Sequence, residues 1–282
     1  MRATAAGARR LGAVLASALA VAVSLWVAPR WGGASSGWEA IRARAVLVVG
    51  VPLWLPPFGA PSPAGPWQGL DVALARHLAA QVLGSPTRVR LLPLAADDRL
   101  WALGHGEVDA VAAAFAGPAV PVASAPQGVQ MIGPYFVEPL VLVVRRGAWV
   151  RGAARLDGEV VGVLAGGRAA AALRVAMGTR RAAVREVGSA ALAAAEVATG
   201  RLRALVVGQS VARALVTHDP ALAVQTLGGL GHESYWLLLP SGDPQLAAAA
   251  RRAIAALPRG RTLAARLRAW SRSVATPWPD AA

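Results

Sequence analysis

The chain has 282 residues, 55% hydrophobic, 16% charged and 5% aromatic, enough for one large or two ordinary domains. That composition excludes a disordered or collagen-like chain, and only one stretch, near the N-terminus, is long and apolar enough to span a bilayer. The net charge is +14, cysteine is absent, and every one of the 29 basic residues is Arg. Disulfides, thiolate zinc sites, a cysteine nucleophile and Schiff-base lysine chemistry are thereby excluded. The arginines are scattered, with pairs at Arg145-Arg146, Arg180-Arg181 and Arg251-Arg252 and no aromatic-interleaved basic stripe. Nucleic acid is therefore not an expected partner.

Arg9-Arg10 precede an apolar run from Leu11 to Ala28. A positive flank followed by such a run is the layout of an export signal, and its length also fits a single membrane anchor. Residues 1–36 are read as a signal peptide or an anchor helix, and the body is expected to work outside the cytoplasm. If the segment is not cleaved, it ties the body to the membrane.

Strands and helices then alternate. Ala45 to Val51 reads as a buried strand, followed by a Pro/Gly-rich loop from Pro52 to Gly69. Asp71 reads as the N-cap of a helix to Val82, with Gly84 just past its end. Arg88–Leu94 is a strand, Asp98–Gly104 a helix, and Val108–Phe115 and Leu140–Val144 are strands. A second series follows: strand Val160–Leu164, a turn at Ala165-Gly166-Gly167, and a helix from Arg168 to Met177. Next come strand Val184–Val187, a helix capped by Ser189 and ended by Gly200, strand Leu205–Val207 and helix Val211–Thr217. Strand Tyr235–Leu239 and helices Gln245–Leu257 and Arg261–Trp270 complete the body. Strands spaced by helices imply parallel α/β sheets, and two such series joined by two connections suggest two lobes.

Five stretches together resemble the family 3 extracellular solute-binding proteins, the periplasmic polar amino acid receptors of ABC importers. They are Val49-Gly50-Val51 with Pro56-Pro57-Phe58, the helix start Gly69-Leu70-Asp71-Val72-Ala73-Leu74-Ala75, and Leu100-Trp101-Ala102-Leu103 with Gly106-Glu107-Val108-Asp109-Ala110-Val111. The others are Gly133-Pro134-Tyr135-Phe136 with Leu140 to Val144, and Leu156-Asp157-Gly158-Glu159-Val160-Val161-Gly162-Val163. The resemblance implies an α/β, two-lobe periplasmic binding protein type II fold with a hinge cleft, preceded by the N-terminal signal or anchor helix. Lobe one would be 44–137 plus 230–270, lobe two 138–229, and 271–282 a flexible tail. It implies a small-molecule ligand, amino acid-like or an organic anion, and an ABC transporter permease as partner. No cofactor, no metal and no catalytic residue is expected, and a monomer is expected. The alternatives are a degenerate sensing or interaction module and a cleft dehydratase.

The chain departs from the family pattern where the ligand's charges are held. The position of the family's carboxylate-clamping Arg falls near Pro121, and that of its amine-holding Asp falls on Gly208. The expected ligand contacts are therefore drawn from other positions. Gly166, Gly167 and Arg168 form a strand-to-helix turn suited to an anion, with Arg168 either a replacement charge or a solvated first-turn residue. Gln209 and Ser210 open the next helix, as cleft groups or plain caps. Trp54 and Leu55 follow the first strand as a wall, and Phe115 is either an opposing wall or core. Gly208-Gln209-Ser210-Val211-Ala212 only superficially resembles a hydrolase nucleophile elbow. His105 to Asp109 reads as a tight turn rather than a metal site.

Overall fold

The computed structural model describes residues 37–63, 65–117 and 128–273. The expected export or anchor segment and the stretch around Pro121 lie outside them. Among the described residues, no helix is long and apolar enough to cross a membrane.

A short helix, α1 (Gly37–Arg44), leads into β1 (Leu47–Pro52), which is buried along its whole length. An apolar run without alternation requires cover on both faces, the position of a central parallel strand. β1 pairs in parallel with β4 (Val89–Leu94) and β5 (Ala110–Gly117). The loop after β1 carries a small antiparallel ribbon, β2 (Ala60–Pro61) and β3 (Trp67–Gln68). Helices α2 (Leu70–Leu83) and α3 (Asp98–Gly104) make the crossovers. α2 ends as expected at Gly84, in the left-handed conformation that glycine adopts freely. Its start differs from expectation. Gly69 occupies the cap position, and Asp71 lies one step inside the helix, fully buried. Its carboxylate accepts from the Ala114 N–H at 2.7 Å and the Tyr135 hydroxyl at 2.7 Å, so its partners are far along the chain rather than in its own first turn.

β6 (Val129–Arg145) is 17 residues long and links two sets of strands into one continuous nine-stranded order among the described residues. Its first part runs antiparallel to β11 (His232–Pro240), from Val129 opposite Pro240 to Pro139 opposite His232, with a register shift between Tyr235 and Leu237. From Leu140 onward it pairs instead with β9 (Ala204–Gly208) and β10 (Leu222–Gln225). The sequence predicts a strand only at Leu140–Val144, so the earlier part of β6 is a correction. Pro139 is the last residue paired with β11, and Leu140 the first paired with β9. The second set continues from β9 to β7 (Val160–Leu164) and β8 (Ala183–Val187), all parallel. Helices α4 (Ala169–Met177), α5 (Ala190–Thr199) and α6 (Gln209–His218) connect them. Ser189 caps α5 through the Leu192 N–H, and Gly200 ends it.

The chain closes with α7 (Pro244–Ala255) and α8 (Gly260–Ser273), the latter running past the Trp270 end expected from the sequence. Asp243 caps α7 through the Leu246 N–H at 2.9 Å and accepts the Trp38 N–H at 2.7 Å, tying α1 to α7. Three apolar clusters hold the body. One lies beneath α2 and α7 and continues under α5 and α6, one lies between α4 and the second set of strands, and one lies beneath α3. The result is the two-lobe α/β architecture, with β6 and β11 shared between or bordering the lobes.

Candidate functional site

The carboxyl ends of parallel strands are where α/β sheets leave room for ligands, because the loops there diverge into helices on opposite faces. Here those ends come from both sets of strands and meet around one cavity of ≈ 140 Å³. The segments after β1 and β4 form one side, and those after β7 and β8, with the end of β9, form the other. The volume is close to that of a protein cavity able to hold one benzene.

Four of the residues nominated from the sequence lie on its wall: Trp54, Leu55, Gly166 and Gly167. Phe115 does not. It alternates with Ala114 and Ala116, which do line the cavity, and packs beneath α3 with the Leu94–Ala102–Leu103 cluster. The aromatic group beside the cavity is instead Phe58, Phe136 and Tyr235, with ring centroids 4.8–6.0 Å apart. Arg168, Gln209 and Ser210 do not line the cavity. The backbone N–H groups at these two helix starts, expected to meet an anion, are already occupied by the protein's own acids. Arg168 N–H donates to Glu233 Oε1 at 3.0 Å, and Ser210 N–H donates to Glu138 Oε2 at 2.6 Å.

Glu138 and Glu233 lie near the crossovers in no convincing motif, so that from sequence they are weighed only as carboxylates for the dehydratase alternative and set aside. They face each other across the β6–β11 register and are nearly inaccessible to solvent. Tyr235 lies between them, its hydroxyl 3.0 Å from Glu138 Oε1 and 3.2 Å from Glu233 Oε2. Two glycines make this possible. A Cβ at Gly208 would come within 2.1 Å of Glu138 Oε1, and one at Gly167 within 2.9 Å of Glu233 Oε1. The glycine at 208, which removes one carboxylate from the expected pattern, thus opens the space that Glu138 fills from the neighbouring strand. Burial pushes Glu138 up to about 7, against the hydrogen bonds from Ser210 and Tyr235 that hold it down. Burial likewise raises Glu233, opposed by the Arg168 N–H, by Tyr235 and by the Arg168 charge.

A second polar group comes from α3. Arg99 lines the cavity, and its Nε is buried with no hydrogen-bond partner. Burial lowers its pKa, while the charges of Asp71, Tyr135 and Asp97 pull the other way. Asp71, raised by burial to about 6, holds the Ala114 N–H where that residue adopts a φ of 47°. Such a backbone in a residue other than glycine costs roughly 1–2 kcal/mol and persists only where surroundings enforce it.

The elbow lookalike at Gly208–Ala212 would need a histidine partner, and His218, on the same helix as Ser210, has its Nε2 2.9 Å from the Ser271 carbonyl. Asp109 receives the Val48 N–H and pairs with Arg44, and His105 stacks on Trp101. Among the described residues, no group of His, Asp or Glu has the arrangement of a metal site.

Residues 47–273 match the family described as bacterial extracellular solute-binding proteins, family 3. The chain belongs to this family. Its members are extracytoplasmic binding proteins, and the curated relatives and solved structures agree with the assignment. The glutamate/glutamine/aspartate/asparagine-binding protein BztA of Rhodobacter capsulatus is 44% identical over 69 residues, 24% of this chain and 20% of BztA. The putative amino-acid ABC transporter-binding protein YhdW of Escherichia coli K12 is 28% identical over 153 residues, 54% of this chain and 44% of YhdW. The matched stretches therefore span less than half of these relatives. The amino acid ABC transporter substrate-binding protein AbpA of Streptococcus pneumoniae, solved with L-arginine bound, has the same fold. It superposes with a TM-score of 0.72 at 18% identity, covering 85% of this chain and 100% of that one.

Proposed function

We propose that this chain captures a small organic solute in the cavity between its lobes, outside the cytoplasm, and hands it to an ABC permease. The observation that carries the reading is the convergence of strand ends from both sets on one cavity. A ligand there touches both lobes at once, so its binding free energy favours their approach. Trp54, Leu55, Gly166 and Gly167 would contact the solute directly. Arg168, Gln209 and Ser210 would act behind them, by fixing Glu233 and Glu138. Phe115 keeps only a packing role in this reading. The lobes are taken to divide near 137/138 and 229/230, consistent with the change of pairing partner after Pro139. Residues 1–36 would export or anchor the body, and one chain would form one receptor.

The names of the relatives make an amino acid or a close analogue the first ligands to try. We read the protein as a binder rather than an enzyme, because the two acids beside the cavity, Glu233 and Glu138, are each engaged by a helix-start N–H. Thermal unfolding of the full chain against amino acids, amines and organic acids tests the proposal. A true ligand at a hundred times its Kd adds about 2.7 kcal/mol to stability. Failure of every small molecule to stabilise the chain would favour a sensing or interaction module instead. Turnover of a carboxylic acid would favour the dehydratase alternative.

A further inference from the structure

Glu233 and Tyr235 lie on the cavity wall, and Glu138 stands directly behind them. Two carboxylates facing each other across antiparallel strands repel. Neither is in an ion pair: among the described residues the pairs are Arg44–Asp109 and Arg185–Glu196. The groups that face the acids are few. Arg168, at the start of α4, reaches Glu233 through its N–H, with its guanidinium as a nearby charge. Ser210, at the start of α6, reaches Glu138 through its N–H and its hydroxyl. Tyr235 meets both acids.

The Tyr235 hydroxyl has one proton to donate. It can satisfy one carboxylate, and the contact with the other then requires a proton on a carboxyl. The empty cluster therefore holds one carboxyl proton shared between Glu138 and Glu233, beside the Tyr235 hydroxyl's own, in keeping with the upward displacement of both acids by burial. A cation placed in the cavity against Glu233 supplies the same neutralising charge. Arg99, with its unbonded Nε, offers the same cavity a place for an anionic group.

We propose that Glu233, backed by Tyr235 and Glu138, is a cation subsite that exchanges the cluster's shared proton for the ammonium group of a small solute. The proposal rests on the reading of the cavity as the ligand site. The exchange balances: the ammonium keeps its own protons and donates N–H bonds to Glu233, while the carboxyl proton leaves to solvent. One positive charge enters and one departs. The favoured ligands carry an ammonium and, for Arg99, a carboxylate as well. Binding weakens on acidification, because a larger fraction of the cluster then carries the carboxyl proton that the solute must displace.

The test is calorimetry on the full chain with matched triples: each standard amino acid, the amine left by removing its carboxyl group, and the acid left by removing its amino group. The proposal expects binding by at least one ammonium-bearing member and none by its amine-free partner. In buffers of different ionisation enthalpy, the binder should release protons, the number rising toward one as the pH falls below about 7. Its affinity should fall up to tenfold per pH unit below that. Glu233→Gln should lose at least tenfold in affinity together with the proton release. Proton counting on the unsubstituted protein decides the matter should that variant fail to fold. Binding of amine-free acids in preference, or amine binding without proton release, would overturn the cation subsite and leave the receptor reading standing. No binding by any member would remove both.

Discussion

Gly208→Ala probes the arrangement around the acids with the smallest possible change. The backbone at 208 has φ −58° and ψ 145°, a conformation alanine adopts without strain. Any cost must therefore come from what the new methyl meets. It would lie 2.1 Å from Glu138 Oε1 and 2.5 Å from the Tyr235 hydroxyl, so both groups must withdraw. Withdrawal breaks the 2.6 Å bond from Ser210 N–H and the 3.0 Å bond from Tyr235. Each buried polar group left unsatisfied costs about 1–3 kcal/mol. The expected destabilisation is roughly 2–6 kcal/mol for two such groups. Urea unfolding measures it, with Gly228→Ala, which meets nothing within 4 Å, as the control. The cost should shrink in a Glu138→Ala background, where the nearest clashing atom is gone. A Gly208→Ala protein as stable as the control would refute the claim that this glycine exists to admit the acid.

The empty protein should become more stable on acidification from pH 7 to about 4.5. Glu138 has its folded pKa raised from 4.5 to about 7, so the unfolded chain ionises first and stability is lost as pH rises through that window. The contribution is about 3 kcal/mol, and Glu138→Gln should flatten the profile. Ala114→Gly should stabilise the fold by about 0.5–1 kcal/mol in urea unfolding, since glycine tolerates the φ of 47° while adding chain entropy to the unfolded state. Asp243→Ala should cost about 1–2 kcal/mol by thermal unfolding, because one carboxylate caps α7 and also holds the Trp38 N–H of α1.

Local features were legible from the chain alone. Ser189, Gly84 and Gly200 mark helix ends because a cap is a contact among neighbours in sequence. The apolar runs at Leu47–Pro52 and Val160–Leu164 declare buried strands for the same reason. Asp71 misled because the same residue type serves as a cap or as a buried acceptor. Only the fold brings it to Ala114 and Tyr135. β6 was legible only from Leu140, where its apolar run Leu140–Val144 begins. The sequence could not show that pairing switches partners there.

The site was half legible. Its wall at Trp54, Leu55, Gly166 and Gly167 followed from their places after strands. Glu138 and Glu233 belong to no motif and come together only through antiparallel register. One signal did point to them. A glycine at 208, where the family pattern calls for a carboxylate, leaves a space that another side chain must fill. Arg99 was passed over because, on a short helix, a buried arginine and a solvated one look alike.

The receptor account is tested most directly by a crystal structure of the full chain with its solute bound. The account predicts one small molecule between the two sets of strands, touching Gly167 and Glu233 and drawing the lobes together. A solute seated elsewhere, or a bound cavity with the lobes unmoved and both acids untouched, would contradict it.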